Sequence, residues 1–236
     1  MYKDFGSKAF GVAYGDITKA QRFIAKTAVL GLGFGAGAKV LCKAINMGAR
    51  QFGFEVDVDE KEAKRIVEVY RQINNKVKRA WSEGEGVLEA IRDNVETLYW
   101  PGLLNLRVNG SEGIQLPSGL FIKYPNLRQY VNEAGKTEWI YDGRNKMKKR
   151  IYGPKVLQNC TQAVARCVIA EAMVRIGRKY PPSLTVHDSL YVVVPSEKAE
   201  EAYEFMMAEM TRPPKWAPDL PLAAEGGIGT NLKEAG

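Results

Sequence analysis

The chain has 236 residues, 45% of them hydrophobic and 26% charged, with a formal net charge of +7; this composition supports a buried core and excludes an intrinsically disordered chain. No apolar run approaches the roughly 20 residues that cross a bilayer, and Met1-Tyr2-Lys3-Asp4-Phe5 lacks the basic-then-apolar secretory pattern, so a cytoplasmic protein with no membrane partner is expected. Three cysteines without a CxxC pair and a single histidine, His187, argue against a disulfide framework, a zinc site or a histidine-rich metal cluster.

In chain order, apolar positions at helical spacing run from about Thr18 to Val40, with Thr18 as a candidate N-cap. Two further amphipathic helices are expected over residues 60–80 and 83–99, parting at or just before Gly84 and Gly86. The texture then changes. Pro117-Ser118-Gly119 reads as a turn before a β-prone run ending at Tyr124, and Glu138-Trp139-Ile140-Tyr141 reads as a strand able to pair with it. Next come five cations in seven residues, Arg144 to Arg150, a run that either binds a polyanion through counterion release or is a solvated loop. The net charge is +3 over residues 1–100, +5 over 101–150 and −1 over 151–236.

A long helix is expected from Tyr152 to about Lys179, carrying Cys160 and Cys167, and Pro181-Pro182 stops it. Residues 183–195 read as a hairpin of two buried β runs meeting at His187-Asp188, and a helix from about Glu197 to Met210 precedes a proline-rich tail.

Two places carry chemistry. Arg22, Lys26, Leu30 and Phe34 are spaced four apart, so on one helix they fall within an arc of roughly 120°. Cations there can hold phosphates while the apolar groups pack on a sugar or base, although an ordinary amphipathic helix shows the same border. Gly31, Gly33, Gly35 and Gly37 each cost a helix about 1 kcal/mol against alanine, which the close approach of a backbone or ligand would explain. Gly31 to Ala36 also matches the dinucleotide-binding pattern GxGxx[G/A], with Glu55 as the acid, but no strand precedes it and no β/α series follows. The second place is Asp188, either a turn former or a carboxylate held at the edge of a sheet to take a divalent metal. A Ser-His-Asp site is excluded, because neighbouring side chains on a strand point to opposite faces.

Val186-His187-Asp188 in a hairpin resembles the third motif of family A (polymerase I type) DNA polymerases. Arg22-Phe-Ile-Ala-Lys26-Thr-Ala-Val-Leu30-Gly31-Leu-Gly-Phe34-Gly35 resembles the second motif, the fingers helix that receives the triphosphate. Residues 152–166, from Tyr152-Gly-Pro-Lys155 through Asn159 and Gln162 to Arg166, are similar to the helix that tracks primer and template. Trp216 to Glu225 looks like the C-terminal end of the phage branch. The resemblance covers almost the whole chain, with its motifs in order.

The resemblance implies an α+β fold: right-hand polymerase fingers, mainly helical, in residues 1–149, and part of the palm, with the motif-bearing β-hairpin, in 150–236. It implies a viral DNA replication enzyme that adds dNTPs to a primer 3′ end by a two-metal mechanism using Mg2+. Arg22, Lys26, Leu30 and Phe34 would bind the dNTP, and Lys26 would also protonate the leaving pyrophosphate. Asp188 would be the catalytic metal ligand. His187, Gln162, Asn159, Lys155 and Gly35 would contact primer and template.

Several positions depart from the pattern. Leu30 stands where an aromatic ring is usual, Phe34 replaces a tyrosine, and Ser189 replaces an acid. The first motif, an Asp-Tyr-Ser-x-x-Glu-Leu-Arg-like strand with the other metal-binding aspartate, is missing; Met1 to Phe10 looks like the segment just after it. The expectation is a subunit, inactive alone, that joins a second polypeptide carrying that first palm motif, with thumb and exonuclease regions. A non-catalytic DNA-binding module of the same architecture is the alternative.

Overall fold

A computed structural model describes residues 1–102 and 104–235. Its elements in order are α1 (Tyr2–Phe10), α2 (Lys19–Leu32), α3 (Ala38–Phe52), α4 (Glu60–Ile73), α5 (Asn75–Arg92), β1 (Glu96–Tyr99), β2 (Leu106–Asn109), β3 (Ile114–Gln115), β4 (Phe121–Ile122), β5 (Arg128–Val131), β6 (Thr137–Asp142), β7 (Lys148–Ile151), α6 (Gly153–Gly177), β8 (Pro182–Val186), β9 (Ser189–Val192) and α7 (Ala199–Thr211). The class is α+β. The chain forms two compact units, residues 1–114 with 123–159, and residues 115–122 with 160–236. No helix among the described residues is long and apolar enough to cross a membrane.

In the first unit, α1 to α4 pack around Phe5, Ile24, Ala28, Leu32, Leu41, Ile45, Ile66 and Tyr70. Burying each large aliphatic side chain contributes roughly 1.5–3 kcal/mol. Arg65 ties α4 to α1: it pairs with Glu62 at 2.6 Å and donates to the Ala9 carbonyl at 2.6 Å. The expected helix over 18–40 is in fact two helices. α2 stops at Leu32 and α3 starts at Ala38, because the glycines between them let the backbone turn, with Gly35 at φ 77°. No strand precedes Gly31, which removes the dinucleotide-binding pattern.

The next two helices also part elsewhere than expected. Asn74 ends α4, its backbone N–H and side-chain amide both donating to the Tyr70 carbonyl at 2.9 Å. Gly84 and Gly86 lie inside α5, and helix gives way to the strand β1 after Asn94 takes a left-handed φ of 56°. A Cβ at Gly84 would stand 2.5 Å from the Gly153 carbonyl oxygen, so this glycine lets α5 meet the start of α6.

β6 occurs where expected but pairs with β5 and β7, not with the 115–124 run. The local hairpin won. Asn132 Oδ1 accepts from the Ala134 and Lys136 N–H groups at 3.0 Å, and Gly135 at φ 73° completes the turn. β5 is short and polar, Arg-Gln-Tyr-Val, which hid it from a search for apolar alternation. Arg92 on α5 lies over the Trp139 ring of β6 at 5.3 Å. In the basic run, Lys148, Lys149 and Arg150 are exposed on β7, and Arg150 pairs with Glu138 at 3.1 Å.

In the second unit, Ile176, Tyr180 and Ala202 form a small core with Leu190, Val192, Val194, Phe205, Met206 and Met210. Arg175 on α6 joins α7 through Glu209, at 2.6 Å to its carboxylate and 2.8 Å to its carbonyl. Trp216 in the tail donates to Glu171 at 2.6 Å.

Two outcomes test this packing. Gly84→Ala should lower the Tm by several degrees, because the new methyl meets backbone that cannot give way. Gly31→Ala, where a Cβ meets nothing within 4 Å, should be neutral or raise stability by up to about 1 kcal/mol. Burial pushes the Cys160 thiol up to about 12. At pH 8 iodoacetamide should therefore leave Cys160 unmodified in the folded protein while labelling half-buried Cys42, as read by mass spectrometry.

Candidate functional site

The capping box at Thr18 sets the register of α2. The Thr18 hydroxyl accepts the Gln21 N–H at 3.1 Å, and the Gln21 side chain accepts the Thr18 N–H at 3.0 Å. Ile24, Ala25, Ala28 and Leu32 then face the core, so the remaining stripe of Arg22, Lys26 and Leu30 faces outward. Leu30 is 47% exposed. Among the described residues, neither the Arg22 guanidinium nor the Lys26 ammonium has an ion pair. Two unneutralised cations one turn apart beside exposed apolar carbon can hold a polyanion that also carries a flat or apolar part.

Phe34 is not on that helix. It is 43% exposed in the turn that closes α2, where its N–H donates to the Gly31 carbonyl at 3.2 Å. The stripe thus continues past the helix end, with the ring placed by a turn and not by helical phase. Gly35 follows in the left-handed region, and a Cβ there would lie 2.7 Å from Pro154 Cβ. Of the four glycines, this one has its close neighbour in the first turn of α6. Gly35 is therefore brought beside the start of α6, one residue from exposed Lys155.

Glu85 also fixes that helix start: its Oε1 accepts the Gly153 N–H at 2.6 Å. No local sequence pattern reveals this contact, because 68 residues separate the partners. Asn159, one helical turn beyond Lys155, is half-buried and donates to the Tyr124 hydroxyl at 3.0 Å. Its amide orients the helix surface and is not a free contact.

In the second unit, Gln162 is exposed on α6, and His187-Asp188 form the two-residue turn between β8 and β9, with Val186 opposite Ser189. β9 is positioned by Leu190 and Val192, which pack on the small core of α6 and α7. The expectation that both strands are buried fails for β8: Leu184 is 42% and Val186 44% exposed. These two strands make a sheet by themselves, which leaves β8 without a covering layer among the described residues.

His187 holds a left-handed φ of 54°, a conformation costing a non-glycine residue about 1 kcal/mol or more. Asp188 beside it is exposed at the tip. No group of three or more His, Cys, Asp or Glu side chains suited to a metal occurs among the described residues. One carboxylate on a braced turn nevertheless fits magnesium, which takes one or two carboxylates and fills its other positions with water and phosphate oxygens.

No family model matches the chain. In sequence it is 31% identical over 246 residues to the DNA polymerase of Bacillus phage SP02, covering 99% of this chain and 36% of that protein. It is 27% identical over 195 residues to the thermostable DNA polymerase I of Thermus filiformis, covering 80% of this chain and 19% of that protein. The chain thus spans about a third or less of the length of these curated relatives. Among solved structures it is similar in fold to the POL domain of Pol1 from M. smegmatis, in complex with DNA primer-template and dNTP. The TM-score is 0.54 at 20% identity, over 94% of this chain and 32% of that one. With a phage polymerase aligned along nearly its whole length and the polymerase-domain fold behind it, the chain belongs with the family A, or polymerase I type, DNA polymerases, and corresponds to a part of one.

Proposed function

We propose that the chain supplies the fingers, residues 1–149, and part of the palm, residues 150–236, of a viral DNA-directed DNA polymerase that adds dNTPs to a primer 3′ end. The observation that carries this reading is the outward stripe of α2, where Arg22 and Lys26 stand exposed and unpaired beside Leu30. The Arg22 guanidinium binds two phosphate oxygens of the incoming triphosphate as a planar fork. The Lys26 ammonium, one turn on, neutralises the same phosphates and donates its proton to the departing pyrophosphate. Leu30 and Phe34 lie against the sugar and base.

Lys155 and Gln162 contact primer and template, with Gly35 leaving room for the strand and Asn159 steadying the surface. His187 contacts the primer end. Asp188 would hold Mg2+. When bound, the two ions of such a site lower the pKa of the 3′ hydroxyl and neutralise charge building on the pyrophosphate. The other metal-binding aspartate comes from outside these 236 residues, on a second polypeptide or a further segment that carries the first palm motif, with thumb and exonuclease regions. The uncovered strand β8 supports this, since a palm sheet would continue from it. A DNA-binding module without catalysis is the second reading, favoured by Asp188 being the one acid in the hairpin.

Single-nucleotide incorporation by the assembled enzyme, measured against dNTP concentration, tests the α2 stripe. Arg22→Lys should cost roughly tenfold in efficiency and Lys26→Ala at least as much, with primer-template affinity nearly unchanged. Leu30→Phe should preserve activity. Unchanged kinetics for Lys26→Ala would reduce α2 to ordinary packing.

At the hairpin, Asp188→Asn should lower turnover by about 100-fold or more while sparing DNA binding, since metal charge stabilisation is worth several kcal/mol. His187→Gly should keep or raise the Tm, because glycine accepts the left-handed backbone freely, yet lower incorporation. Equal, mild kinetic losses at both positions would mean that the pair only shapes a turn. The 236 residues alone should bind primer-template and fail to extend it.

A further inference from the structure

The first unit contains a cleft of about 350 Å³ that none of the roles above uses. Its walls include Arg71 near the end of α4, Lys78, Trp81 and Ser82 on α5, and Pro154 at the start of α6. That volume is at the small end for ligand pockets and suits one nucleotide better than a larger molecule.

Trp81 determines what the cleft can recognise. Its side chain is half-buried and packs on the helical core, and its indole Nε1 is buried with no hydrogen-bond partner. The part of Trp81 that reaches the cleft is therefore ring carbon, a flat apolar face held in place from behind. Arg71 and Lys78 are exposed, and neither forms an ion pair among the described residues. Glu85, the acid in the lining, already accepts the Gly153 N–H at 2.6 Å.

We propose that this cleft binds one nucleotide of single-stranded DNA, with the base stacked on Trp81 and the flanking phosphates held by Arg71 and Lys78. An aromatic face between unpaired cations is the arrangement that binds single strands, because stacking needs an unpaired base and the cations track the backbone. A duplex keeps its bases stacked inside and cannot reach the ring. A small anion would need no ring. The inference deepens the polymerase reading and rests on it: the strand that runs unpaired ahead of a primer is the template.

The test uses the whole chain, a twelve-residue thymidine oligonucleotide and a blunt duplex of equal length, with fluorescence anisotropy and tryptophan emission as readouts. The single strand should quench tryptophan emission. The double variant Arg71→Ala/Lys78→Ala should bind it about tenfold more weakly, with a salt slope shallower by about 1.4 for two lost phosphate contacts, and should bind the duplex as before. Trp81→Phe keeps a ring and should retain most of the affinity while losing the quench. Unchanged single-strand affinity in the double variant, an equal loss on the duplex, or a quench that survives Trp81→Phe would each overturn the proposal. If the single strand is bound in this manner and no primed duplex is bound at all, the cleft stands and the polymerase reading fails.

Discussion

The start of α6 is the constraint on which the first unit depends. Three contacts converge there. Gly84 lets α5 approach the Gly153 backbone, Gly35 lets the α2 turn approach Pro154, and Glu85 takes the Gly153 N–H at 2.6 Å. Two of the three require the absence of a side chain, so they are steric permissions as much as attractions. The third satisfies one of the orphan donors that every helix start presents. Together they fix Lys155 and bring the end of α2, with Phe34, to the same corner of the unit.

That corner is where unbalanced charge collects. Arg22 and Lys26 on α2 and Arg71 and Lys78 near the α4–α5 junction remain without ion pairs among the described residues, whereas cations with structural roles are paired: Arg65 with Glu62, and Arg128 with Asp142 at 3.1 Å. Exposed ion pairs are worth little in stability. An unpaired cation beside exposed apolar carbon is more informative, because nothing in the fold needs it. The Arg128–Asp142 pair shows the contrast: Asn126 and Arg128 hold the Asp142 carboxyl below the usual range, so its contribution to the β5–β6 hairpin is present above the ordinary carboxylate pKa and fades as pH falls through the lowered one.

In the second unit the hairpin is anchored on one side only. β9 gives Leu190 and Val192 to the core of α6 and α7, and β8 keeps Leu184 and Val186 exposed. The tip carries backbone strain at His187 next to an exposed carboxylate. Strain persists where surrounding structure over-determines it, and the packing of β9 supplies that support here.

The sequence by itself determined the elements whose signals are local and periodic. Thr18 with Gln21 started α2, the long apolar face specified α6, and two β runs around His187-Asp188 specified the hairpin, because capping and side-chain periodicity act within a few residues. It also carried the family resemblance, through motif residues in order. Tertiary structure decided where neighbouring helices part, which strands pair, and which apolar strand is covered. The break after Leu32, the pairing of β6 with β5 and β7, and the exposure of β8 all depend on partners distant in sequence or on competition between alternatives of similar local propensity. The contact of Glu85 with Gly153 is the clearest instance: nothing within the reach of either residue along the chain announces it, and only packing brings the two together.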